Sequence, residues 1–98
     1  MDTPAMKRAI AEYFKTQPVL KAWLFGSFAR GEETSESDVD IMVALDDSRP
    51  IGLEFFGMWG DLERMLNRDV DLVTEHDLSG FAEETANVDK QLIYERTA

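Results

Sequence analysis

The chain has 98 residues, with 20 Asp plus Glu against 10 Lys plus Arg, one His and no Cys, for a formal charge of −10 at pH 7. One small core fits this length, burying roughly 60–65% of the unfolded surface as a single domain over residues 1–98. The acidic balance excludes a basic face for long nucleic acid and disfavours anionic membranes, and the absence of Cys excludes disulfides, thiolate metal sites and a cysteine nucleophile. The first residues carry no apolar signal core, and the longest apolar run, 41–45, is far short of the about 20 residues that a spanning helix needs. These features predict a soluble cytoplasmic protein.

Residues 4–16 space Met6, Ala9, Ile10, Tyr13 and Phe14 as a helix does, with Thr3 as N-cap and Pro4 at the first helical position. Residues 19–25 form a short run rich in β-formers that stops at Gly26, which predicts a buried strand. A single helical turn over 27–30 precedes a polar loop, 31–37. Residues 39–45 read as a central strand with Asp40 inside it. Over 51–66, Phe55, Phe56, Trp59, Leu62 and Leu66 recur at three and four, which predicts a helix in which Gly57 and Gly60 mark close packing on the sheet. A short strand at 70–73 contains Asp71, a short helix is expected at 78–86, and a last strand at 91–95. The β-α alternation predicts an α/β (α+β) fold, a small sheet with helices packed against it.

Asp38, Asp40 and Asp71 stand at the start of, or within, predicted strands, where an isolated buried carboxylate costs several kcal/mol unless it is paired or binds a cation. Residues two apart on a strand share a face, so Asp38 and Asp40 project together and a neighbouring strand brings Asp71 to them. Three oxygen donors on one spot suit a hard divalent cation such as Mg2+ or Mn2+. Seven acidic residues and no Lys or Arg lie between Arg30 and Arg49, so local arithmetic favours a metal over a basic partner. Just upstream, Gly26-Ser27 sits at a strand-to-helix junction. A glycine there admits a phosphate to the backbone, and the turn's amides and the Ser27 hydroxyl donate to it. The blander alternatives are an Asp38 cap followed by an edge-strand Asp40, an edge-strand Asp71, and Ser27 as the N-cap of the short turn. His76 reads as a surface residue, and Trp23, Phe55, Phe56, Trp59, Tyr13 and Tyr94 as packing.

The run Gly26-Ser27-Phe28-Ala29-Arg30-Gly31, followed by Ser37-Asp38-Val39-Asp40-Ile41-Met42-Val43, resembles the signature of the minimal nucleotidyltransferases of the DNA polymerase beta superfamily. Val70-Asp71-Leu72-Val73 is similar to their third-carboxylate strand, and Leu92-Ile93-Tyr94-Glu95 to their ending. The resemblance implies a polymerase beta-like fold with a small mixed sheet. Gly26 and Ser27 would hold the nucleotide phosphates, Asp38 and Asp40 two metal ions, and Asp71 would complete the triad and serve as base. Arg30 would either touch a phosphate or pair with Asp38 or a loop Glu. Relatives often carry a basic residue where this chain has Phe28, which implies one phosphate contact fewer.

The implied activity is metal-dependent transfer of AMP from ATP, or of another nucleoside monophosphate from its triphosphate, by in-line attack on the α-phosphate. The implied acceptor is a tyrosine of a HEPN-domain ribonuclease toxin, with this chain as the antitoxin and a homodimer as a further assembly to consider. The competing class is a catalytically weak binding module that blocks a HEPN partner sterically. Transfer to a small molecule such as an aminoglycoside goes with a second domain that 98 residues do not accommodate.

Overall fold

The computed structural model describes residues 2–34, 36–46, 48, 50–74 and 90–97. The elements follow in the order α1 (Thr3–Phe14), β1 (Val19–Phe25), α2 (Ser27–Arg30), β2 (Val39–Leu45), α3 (Glu54–Leu66), β3 (Val70–Thr74) and β4 (Gln91–Glu95). The helix expected at 78–86 and His76 lie outside the described residues. The strands form one mixed sheet of order β3-β2-β1-β4, antiparallel except for the parallel β2–β3 pair. That parallel pair is joined through α3, the crossover a parallel connection requires.

One face of the sheet is covered by the two long helices. Met6, Ile10 and Phe14 of α1 and Met58, Leu62 and Leu66 of α3 recur at intervals of four, and they meet Ala22, Leu24, Val39, Ile41, Val43, Val70 and Leu72 of the strands in one core. The helices are bridged at their edges by the Tyr13 hydroxyl, which donates to Asp61 at 2.6 Å. Burial, together with that bond, holds the phenol well above its ordinary pKa.

Three local expectations are corrected. Asp2 rather than Thr3 caps α1, its Oδ1 accepting from the Ala5 amide at 2.8 Å, while the Thr3 hydroxyl donates instead to Glu33. Gly57 and Gly60 do not mark close packing on the sheet, because a Cβ at Gly57 would meet nothing and one at Gly60 only the Arg64 side chain of its own helix. Phe56 is 65% exposed rather than core, since the core-facing stripe of α3 runs through Met58, Leu62 and Leu66. In β1, residues 19 and 20 together oppose Leu45, a bulge that returns Val19 to the core face and leaves Leu20 40% exposed.

The sheet is fastened at its far end by Arg96, whose guanidinium donates to Asp46 at 2.6 Å and to the Gln17 carbonyl at 3.2 Å. The Arg96 bond lowers the Asp46 carboxyl from 3.8 to about 2, with the Ser48 hydroxyl and amide helping. A carboxyl that titrates lower when folded adds stability above its unfolded pKa and loses it as the pH falls from 3.8 to about 2. In thermal unfolding scans across that acid range, Asp46→Asn is expected to lose less stability than the wild type; parallel curves would show that the pair contributes nothing there.

Candidate active site

β1 ends at Phe25, and the chain leaves it through Gly26 at φ 73 and ψ −147, a backbone region open essentially to glycine alone. Space imposes the same choice, because a Cβ on Gly26 would collide with the Asp40 carboxylate. Phe25 is the register partner of Asp40, which explains the closeness: the turn leaves β1 directly beside that side chain. Gly26 occupies the cap position of α2 with no side-chain cap, so Ser27 is the first helical residue and not the N-cap. The turn is closed by hydrogen bonds from Ala29 N to Gly26 O at 3.1 Å and from Glu32 N to Ser27 O at 2.9 Å.

Asp40 and Asp71 are direct register partners across the parallel β2–β3 pair. Since Ile41 and Leu72, the next residues, face the helices, strand alternation turns both aspartates to the opposite face. Asp38 stands just ahead of β2. Asp38 and Asp71 are exposed and Asp40 is half-buried, so the expectation of carboxylates buried in the sheet core is corrected: Asp40 and Asp71 lie on the face away from the helices, and Asp38 stands in the loop ahead of β2. Among the described residues, no group of three Asp, Glu or His side chains is gathered tightly enough to hold a metal ion. The fit to a hard cation rests on the donor chemistry, all carboxylate oxygens, and on the glycine backbone that leaves the Asp40 carboxylate uncrowded.

The strand that presents Asp71 is anchored to α3 at its first residue. Trp59 Nε1 donates to Val70 O at 2.5 Å, and Val70 N donates to Glu63 at 3.1 Å. Asn67, in the left-handed region at φ 52, ends α3 and starts this short connection. Between the two lies Arg68, which the sequence reading passed over. Its Nη1 donates to the carbonyls of Thr34 and Ser37, both at 3.0 Å, and its guanidinium carbon lies 5.2 Å from the centre of the Phe28 ring. The signal that could have found it is its place three residues before Asp71, next to a helix-ending Asn-Arg step.

Phe28 itself is 2% exposed and belongs to the core. Arg30 closes α2, and its side chain lies outside the described residues. The loop after it is tied to α1 by the Thr3 hydroxyl, which donates to Glu33 at 2.6 Å and is the main cause that holds the Glu33 carboxyl below its ordinary pKa. A cleft of about 570 Å3 opens beside Asp38, with Ser37, Glu63, Asn67, Arg68 and Asp69 in its wall. No helix among the described residues is long and apolar enough to cross a membrane.

The sequence profile of the family described as polymerase beta, nucleotidyltransferase, matches residues 8–98. Protein adenylyltransferase MntA of Thermococcus cleftensis is 38% identical over 79 residues, which cover 80% of this chain and 76% of that protein. A crystal structure of a toxin-antitoxin with AMP-PNP superposes with a TM-score of 0.77 at 22% identity, covering 93% of this chain and 74% of that one. A tri-AMPylated HEPN toxin of Shewanella oneidensis in complex with its MNT antitoxin matches with a TM-score of 0.72 at 18% identity, over 97% of this chain and 74% of that one. A match over nearly the whole length places the chain in the polymerase beta nucleotidyltransferase family.

Gly26→Ala is expected to destabilise the protein by about 1–3 kcal/mol through backbone strain alone, and to push the Asp40 carboxylate from its place. Urea unfolding checks the first effect. A variant as stable as the wild type would show that the turn tolerates a side chain.

Proposed function

We propose that this protein transfers AMP from ATP to a hydroxyl of a protein acceptor, a tyrosine of a HEPN-type ribonuclease toxin, and acts in the cytoplasm as the antitoxin of that pair. The observation that carries the reading is the contact between the Gly26 backbone and the Asp40 carboxylate, with Asp71 in register one strand away. It brings a turn suited to phosphate beside two of the three carboxylates. Support for a protein acceptor comes from the relative named as a protein adenylyltransferase and from the AMPylated HEPN toxin bound to the MNT antitoxin of similar fold.

In this reading the bare Gly26 turn lets the β- and γ-phosphates lie against the backbone, and the Ser27 hydroxyl donates to them. Asp38, Asp40 and Asp71 would hold two divalent cations, Mg2+ or Mn2+, whose charge offsets that of the triphosphate and of the developing pyrophosphate. The acceptor hydroxyl attacks the α-phosphorus in line: its oxygen–phosphorus bond forms as the bond to the bridging oxygen of pyrophosphate breaks. Asp71, itself exposed on the edge strand β3, takes the hydroxyl proton. Such a reaction needs positioning and charge more than many side chains, which a domain of 98 residues can supply.

Residues 31–48 carry seven carboxylates and no Lys or Arg. Without cations this segment repels a triphosphate, so ATP binding is expected to disappear in EDTA and return with excess Mg2+; calorimetry that finds equal affinity in EDTA contradicts the metal part of the reading. Incubation with the product of the neighbouring gene, Mg2+ and labelled ATP is expected to label that partner. With Asp40→Asn the labelling rate should fall by about 10²-fold or more. A partner that is inhibited but never labelled by the wild type would replace transfer with steric blocking.

A further inference from the structure

We propose that Arg68 is a positioning residue that sets the direction of Asp38 by clamping the carboxylate loop onto the phosphate-turn helix. The proposal rests on the nucleotidyltransferase reading of the site. Asp38 precedes β2, where the Val39 amide, donating to Asp69 O at 2.9 Å, fixes only the peptide that follows it. The peptide before it is held by the loop behind. There, the Ser37 amide donates to Thr34 O at 3.1 Å and the Thr34 amide to Ser37 Oγ at 2.8 Å, which makes a small closed turn. Arg68 Nη1 bonds both carbonyls of that turn, Thr34 O and Ser37 O, at 3.0 Å each. The Ser37 carbonyl and the Asp38 amide belong to one peptide group, and that group is planar. Fixing the carbonyl therefore fixes the plane from which Asp38 projects.

The other contact of the guanidinium is with Phe28, which immediately follows Ser27 and is itself held in the core. At 5.2 Å from the ring centre the cation lies within the range of a favourable cation–π interaction. The Arg68 backbone is rigidly placed, with the left-handed Asn67 before it and, after it, Asp69, whose carbonyl accepts from Val39 N at 2.9 Å. One planar group thus joins the segments that bear Ser27, Asp38 and Asp71. Lysine would keep the charge and lose both the paired geometry and the stacking plane. Arg68 also places a positive charge beside a loop whose carboxylates repel one another, in the wall of the cleft that Asp38 lines.

The test uses the full chain with Arg68→Met, which keeps length and removes charge and donors, and Arg68→Lys. Mn2+ binding is read from the EPR signal of the free ion in the presence of a non-hydrolysable ATP analogue, and hydrogen exchange is read segment by segment. Arg68→Met is expected to weaken Mn2+ binding about tenfold and to speed exchange over residues 32–38, while α1 and β1 exchange as in the wild type. Arg68→Lys should recover only part of the affinity.

Unchanged Mn2+ affinity and unchanged exchange over 32–38 in Arg68→Met would overturn the proposal. So would faster exchange spread evenly over the chain, the mark of a purely structural role, and so would full recovery by lysine, the mark of charge alone. Should Arg68→Met fail to fold, Phe28→Leu is read in the same two ways, with about threefold weaker Mn2+ binding expected and no change overturning the clamp. A wild type that binds no Mn2+ overturns the reading of the site itself. A wild type that binds it as well as Arg68→Met does overturns the role of Arg68 alone.

Discussion

The antiparallel register of β1 on β2 is the constraint on which the rest depends. Pairing Leu24 with Ile41 puts both in the core, and the same register then sets Phe25 opposite Asp40 and delivers the Gly26 turn against the Asp40 carboxylate. A slip by one residue would turn the apolar faces outward and carry the aspartates under the helices. Hydrophobic burial and site assembly are therefore selected by one geometric choice. The energy of the core, distributed over many apolar side chains, holds together a site that contains few.

Charge is organised by the same logic. The acidic segment 31–48 has no cation of its own in sequence, and the tertiary fold supplies cations from remote positions: Arg96 reaches Asp46, and Arg68 reaches the carbonyls on either side of the Thr34–Ser37 turn. Neither cation forms an ion pair with Asp38 or Asp71 among those described. The basic residues bond the frame around the carboxylates and leave those two exposed.

Much of this architecture was legible in the chain because its signals are local. Helical spacing marked Met6, Ile10 and Phe14, and the break at Gly26 and the acidic interruptions of two strands marked the site. The misreadings have a common origin in packing. Phe56 and the glycines of α3 looked like sheet contacts, but the helix presents Met58, Leu62 and Leu66 instead, and that rotation is decided by which face meets the strands. The carboxylates looked buried because an alternating strand and a fully covered one differ only in what lies over the second face.

The sequence by itself determined which residues are candidates for the chemistry and in what order: a glycine-serine turn, an Asp-x-Asp step, and a third aspartate inside an apolar strand. These are matters of local conformational freedom and strand periodicity, which neighbouring residues settle. Only the tertiary structure decided that Asp40 and Asp71 stand side by side, that Gly26 has room for no side chain because Asp40 is there, and that Arg68 spans three segments. Those facts depend on strand pairing between residues 15 and 31 positions apart in the chain, Phe25 with Asp40 and Asp40 with Asp71, and that pairing is selected by the burial of a shared core that no local stretch of sequence contains.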